Sequence, residues 1–165
     1  MGDVERFLYE EATLLDDGLF ERWVDLFADD AVYWLPIDTT RREPRGGLNL
    51  IYDDRARLGD RLSRLRSGFS HTEEPPSRTS HLVGSVRVVD GEERDSLVGW
   101  MSLADGDVAV TSRQIIARLR REETDTFHTR ASFVLRPDGD SFRIRVKRLD
   151  LLGADLPLPA LTFLL

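Results

Sequence analysis

The chain contains no cysteine. Disulfides, zinc–thiolate sites, a cysteine nucleophile and a cysteine-held iron–sulfur cluster are therefore excluded within it. Imidazoles are scarce as well, being limited to His71, His81 and His128. No two of them stand at helical i, i+3 or i+4 spacing, so a two-histidine, one-carboxylate metal site has no local pattern to build on. No apolar run approaches the roughly 20 residues that span a bilayer. The opening MGDVERFLYEE has no basic stretch leading into an apolar one, so no secretory signal is expected, and the cytoplasm is the expected compartment. Gly2 opens no myristoylation motif, because position 6 is Arg6. GxGxxG, the P-loop pattern and the GxSxG elbow do not occur either, which removes the usual signs of nucleotide binding and of a serine nucleophile.

What remains is a globular composition. Hydrophobic residues make up 41% and charged residues 32% of 165 positions, enough for one domain over residues 1–165 with its own core. A net charge of −7 argues against nucleic acid as the main partner, since phosphate binding needs clustered cations. One stretch runs the other way. DDRARLGDRLSRLRS carries Arg55, Arg57, Arg61, Arg64 and Arg66 on a helical pattern, which reads as a solvated face beside Asp53, Asp54 and Asp60 or as a surface for an acidic partner.

Periodicity divides the chain into helices first and strands second. VERFLYEEATLLDDG places Val4, Phe7, Leu8, Ala12, Leu14 and Leu15 at helical spacing, with Gly18 to end the helix. LFERWVDLF repeats this with Phe20, Trp23, Val24 and Phe27 on one face. After Asp29–Asp30, AVYWLPID predicts a strand stopped by Pro36. A loop, TTRREPRGG, leads to a third helix expected over Leu50 to Arg66. From His81 the period becomes 2, and strands are expected in HLVGSVRVV, SLVGWMSL, VAVTSRQIIARLR, FHTRASFVLR and SFRIRVKRLDLL. Pro137–Asp138–Gly139–Asp140 has the chemistry of a hairpin turn between the last two. Helices followed by strands, without βαβ alternation, predict an α+β fold with a largely antiparallel sheet curling around the helices.

Two features stand out against this frame. The tail GADLPLPALTFLL ends in Leu161, Phe163, Leu164 and Leu165, too apolar to be left in water, so it must dock on its own domain or on another subunit. The stretch PPSRTSHLV puts a double proline, Pro75–Pro76, and an arginine between hydroxyls, Ser77–Arg78–Thr79, ahead of a histidine at the mouth of a strand. An enzyme reading would set His81 as general base at the open end of the curled sheet, with Tyr33 as donor or with Asp38, for isomerisation or dehydration of a hydrophobic substrate. The plainer reading makes His81 a strand-start residue bonded to a neighbouring loop.

FLYEEATLLDDGLFERWVDLFADDAVYWLPI, YDDRARLGDRLSRLRSG and EEPPSRTSHLVGSVRV, in this order, resemble the β (small) subunit of bacterial aromatic-ring-hydroxylating dioxygenases. The likeness is looser in the second half, where it rests on RLDLL and the apolar tail, and FHTRASFVLR stands where relatives carry a Gly/Arg-rich block. The resemblance implies a cone-shaped, curved mixed sheet packed on N-terminal helices, like nuclear transport factor 2 and scytalone dehydratase. It implies a non-catalytic structural subunit with no cofactor of its own, assembled with a large α subunit that holds the Rieske cluster and the mononuclear iron, as an α3β3 hexamer served by a ferredoxin or reductase. Under it no catalytic residue is expected here. Trp34, Pro75, Pro76, Ser77, Arg78, Thr79, Leu161, Phe163 and Leu165 become candidates for subunit contact or for positioning, with Arg78 expected to make fixed hydrogen bonds.

Overall fold

In the computed structural model, residues 2–66, 75–159 and 161–165 are described, without the Arg66 side chain; His71 lies outside them. Among the described residues ten elements follow in order: α1 (Asp3–Asp16), α2 (Phe20–Asp25), β1 (Phe27–Pro36), β2 (Asn49–Asp54), α3 (Arg55–Arg66), β3 (Arg78–Val89), α4 (Gly91–Val98), β4 (Val108–Arg120), β5 (Glu123–Asp138) and β6 (Ser141–Leu151). The strands form one sheet in the order β2-β1-β6-β5-β4-β3. Every neighbouring pair is antiparallel except β1 with β6, so the sheet is mixed.

The inner face of the sheet holds the core. The stripe Phe7, Leu8, Leu14 and Leu15 of α1 is buried there with Trp23 and Val24 of α2 and Leu58 and Leu62 of α3. Against them stand Tyr33 and Leu35 of β1, Ile116 of β4, Phe127 and Phe133 of β5, and Ile144 and Leu149 of β6. Trp23, Phe27 and Tyr33 meet edge to face, the arrangement that aromatic quadrupoles prefer. A second, smaller cluster under α4 covers part of the outer face, with Leu97 and Val98 packed on Val89, Ala109, Val134 and Val146.

Three elements depart most from the sequence expectation. β1 begins at Phe27 and runs through Asp29–Asp30, because Arg136 and Arg145 bind Asp30 and hold it at the sheet. The third helix starts at Arg55 rather than Leu50. Residues 49–54 instead pair with β1 (Trp34 opposite Tyr52, Leu35 opposite Ile51), and the Asp54 carboxylate accepts the Arg57 N–H to start the helix. SLVGWMSL is not a strand. Asp90 caps Gly91–Val98 by accepting the Gly91 N–H, and Gly99 closes the helix where a β-carbon would lie 2.4 Å from the Asp95 carbonyl oxygen. The acidic, capped start outweighed the apolar run that follows it.

The β5–β6 hairpin is as expected. Asp138 pairs with Ser141 across a two-residue turn whose Gly139 has φ +60, with open space around the missing β-carbon. Replacing Gly139 with valine is therefore expected to cost about 1–2 kcal/mol from backbone conformation alone. Urea unfolding of the variant against wild type measures it.

Candidate functional site

Sequence reasoning offered His81, Tyr33 and Asp38 as a converging set, and the structure engages each with different partners. Asp38 lies exposed in the loop after β1, where its carboxylate binds the Thr40 hydroxyl at 2.6 Å and the Thr40 N–H at 2.9 Å. Those two bonds hold its pKa below the usual carboxylate value. Tyr33 is fully buried, its hydroxyl donating to the Leu165 main-chain oxygen at 3.0 Å. Burial pushes that phenol well above its ordinary pKa, so it remains a protonated donor.

His81 belongs to a third location, on the inner face of β3 against the end of α1. Its Nδ1 lies 2.6 Å from Asp16 Oδ1, its backbone N–H donates to Asp16 Oδ2 at 2.8 Å, and Thr79 Oγ1 donates to Asp16 Oδ1 at 2.9 Å. Burial works to raise the Asp16 pKa, but the bonds from His81 and Thr79 outweigh it and leave it lowered. An ionised Asp16 can only accept, so His81 Nδ1 carries the hydrogen of that bond. The ring is buried, and Nε2 has no hydrogen-bond partner among the described residues. The inner-face Gln114, whose strand neighbour Ile116 pairs with His81, likewise leaves its Oε1 without one. Asp16 is the residue that sequence reasoning missed; only its position at the end of α1 could have pointed to it.

The PPSRT stretch is bound by arginines of β4. Ser77 Oγ accepts from Arg118 Nε at 2.8 Å, and the Pro75 carbonyl accepts from Arg120 Nε at 3.3 Å. Arg118 continues to Asp125 at 3.4 Å and to Thr162 Oγ1, with its guanidinium 4.8 Å from the centre of the Phe163 ring. Arg78, expected to make fixed bonds within the subunit or across to a neighbour, is exposed, and its side chain makes none among the described residues; within the chain Arg118 makes the fixed bonds. Strand alternation explains the exchange, because Arg78 is on the outer face of β3 while Arg118 points inward from β4. Pro76 is exposed.

The tail docks on its own domain. Phe163, Leu164 and Leu165 are buried in the main core, and Leu161 packs against it. Trp34 is also buried within the chain, donating to Asn49 Oδ1 at 2.7 Å under the Arg148 guanidinium, 4.4 Å from its ring centre.

At the centre lies a charged knot that no motif announced. Lys147 and Glu11 are 0% and 1% exposed, with Nζ 2.6 Å from Oε1. Lys147 also donates to the Leu165 main-chain oxygen at 2.6 Å, and Trp23 Nε1 donates to Glu11 Oε1 at 2.6 Å. Burial lowers the Lys147 pKa and the Glu11 carboxylate opposes that shift. The ammonium further lies 5.2 Å from the Trp23 ring centre and 5.9 Å from that of Tyr33. The knot joins α1, α2, β1, β6 and the tail. Among the described residues, no three metal-binding side chains are grouped to hold an ion.

A mixed sheet with N-terminal helices packed on one face is the cone-shaped fold that scytalone dehydratases also have. The fold matches the benzoate 1,2-dioxygenase β subunit of Burkholderia mallei over 98% of this chain and 95% of that one, with a TM-score of 0.73 and 24% identity. It also matches a protein described as a scytalone dehydratase from Novosphingobium aromaticivorans, with a TM-score of 0.62 and 14% identity over 96% of this chain and 88% of that one. In sequence, the chain is 36% identical to the biphenyl 2,3-dioxygenase subunit beta of Rhodococcus jostii over 146 residues, 83% of this chain and 72% of that protein. Residues 10–157 match the ring hydroxylating beta subunit family, and the chain belongs to it.

Lys147→Ala strands a buried carboxylate and is expected to destabilise the fold by about 3–5 kcal/mol. Lys147→Met combined with Glu11→Leu, which removes both charges, is expected to cost less than that single change in chemical denaturation. Asp16 has a folded pKa below its ordinary 3.8, so its contribution is complete above about pH 4 and is lost as pH falls through the lowered value. The stability gap between wild type and Asp16→Asn should thus narrow as the pH falls below about 4.

Proposed function

We propose that this chain is the structural β subunit of a multicomponent aromatic-ring dioxygenase, as a single domain over residues 1–165. In this reading it assembles in the cytoplasm with a large subunit that carries the Rieske cluster and the mononuclear iron, in a hexamer of three large and three small chains. Electrons reach that large subunit from a ferredoxin or reductase. With no cysteine, the chain has no thiolate to offer a Rieske centre, which agrees with such a division of labour. Selection of the aromatic substrate belongs to the large subunit.

The observation that carries this reading, beside family membership, is the state of the cone's interior. Tyr33 and Lys147 bind the tail, and Lys147 and Trp23 bind Glu11, so these groups act on the protein itself, while the inner-face His81 Nε2 and Gln114 Oε1 have no partner among the described residues. Pro75 and Ser77 accept from arginines of β4 and Thr79 donates to Asp16 of α1, a positioning role.

Co-expression with the neighbouring large-subunit gene tests the reading. Native mass spectrometry is expected to show a heteromer that contains iron only when the large chain is present, and the purified small chain should hydroxylate no aromatic ring. A small chain that ignores the large one and turns over substrate by itself would overturn it.

A further inference from the structure

On the inner face of the sheet, Tyr33, Lys147 and Arg118 are bonded within the chain. His81 Nε2 and Gln114 Oε1 of the same face are buried without a partner among the described residues. A buried acceptor left unpaired costs about 1–3 kcal/mol. The two residues are neighbours by register. His81 stands opposite Ile116 and Val83 opposite Gln114, so His81 and Gln114 lie diagonally across β3 and β4, within reach of a common group.

Each atom is fixed as an acceptor. The ionised Asp16 takes the hydrogen of His81 Nδ1 at 2.6 Å, so Nε2 of the neutral ring offers a lone pair. The Gln114 amide N–H donates to Ser112 Oγ at 3.5 Å, which turns its oxygen the other way. The His81 side chain is 1% exposed and Gln114 is 2% exposed, so bulk water serves neither.

The approach to this pair is along β3. Thr79, two residues before His81 on the same face and bound to the same Asp16 oxygen, lines a cavity of about 80 Å3. Phe20 of α2, Leu65 of α3 and Phe163 and Leu164 of the tail wall it, so it is apolar apart from the hydroxyls of Ser77 and Thr79. Those two hydroxyls are already engaged by Arg118 and Asp16. Such a place selects its ligand by charge and by donors. Two acceptors backed by an ionised carboxylate repel an anion. A cation would lose its hydration between apolar walls, beside the Arg118 guanidinium that already lies against the Phe163 ring. A neutral molecule with two hydroxyls satisfies both acceptors, and an aromatic body suits Phe20 and Phe163.

We propose that the inner end of β3 binds a small neutral ring bearing two adjacent hydroxyls, one donating to His81 Nε2 and the other to Gln114 Oε1, with the ring among Phe20, Leu65 and Phe163. Asp16 acts through His81 as a positioning residue, because it fixes the tautomer that leaves Nε2 free to accept. The inference stands on this geometry and does not require the β-subunit reading.

Titration of the full chain with catechol, followed by calorimetry and by the nitrogen-15 signals of the histidine rings, tests it. Catechol is expected to bind saturably and to move the His81 Nε2 signal, assigned by its loss in His81→Phe. Phenol, with one hydroxyl, should bind about tenfold more weakly than catechol, and toluene, with none, about tenfold more weakly again. Gln114→Leu keeps the side-chain volume and the Asp16–His81 bond; it should bring catechol down to the affinity of phenol and leave phenol itself unchanged. The ligand series on wild type decides the matter even if that variant does not fold. Absence of saturable binding, toluene binding as tightly as catechol, an unmoved His81 Nε2 signal at saturation, or a Gln114→Leu variant that weakens phenol as much as catechol would each overturn the proposal. Assembly with the large subunit is read separately by mass, so failure here leaves the β-subunit reading standing.

Discussion

The fold is organised around the buried pair Glu11–Lys147. Two charges removed from water are tolerable only when nearly every lone pair and proton finds a partner. Here Trp23, the Leu165 main-chain oxygen and the aromatic faces of Trp23 and Tyr33 supply those partners. Each comes from a different part of the chain, so satisfying the charges requires α1, α2, β1, β6 and the tail to be in place together. An apolar core of the same size would tolerate many arrangements of the tail. A charged one restricts them, because a displaced tail leaves an ammonium short of an acceptor in a dry interior.

The same logic separates the two faces of the sheet. Inside, polar groups are spent on internal bonds, including Asp16 with His81 and Arg118 with Ser77. At the α4 end, Asp30 and Asp107 tie Arg145 between β1, β6 and the loop before β4. Two inner-face atoms stand apart from this internal bonding, His81 Nε2 and Gln114 Oε1, which have no partner among the described residues.

The sequence made the local features legible and hid the distant ones. The apolar stripe of α1, the limits of β4 and the Gly139 turn all follow from patterns a few residues long, and they match the structure. Leu50 to Arg66 misled because its leading strand is short and is recognised only through pairing with β1. SLVGWMSL misled because its apolar content outshone the cap at Asp90. The site was far less readable. Asp16 meets His81 across 65 residues and Glu11 meets Lys147 across 136, and nothing in local spacing encodes either meeting. Family resemblance supplied the architecture, and the identity of the working contacts had to come from geometry.

The parallel joint between β1 and β6 carries a consequence for biogenesis. Val32 to Trp34 line up with Val146 to Arg148, so one of the earliest strands to be synthesised pairs on that side with the last. While the ribosome is still making the chain, β1 can gain β2 but must present its other edge unpaired. Such an edge is open to foreign strands, and pairings this distant in sequence are slow to form. The β1 strand therefore completes its pairing only once translation has delivered β6, and its edge stays open until then.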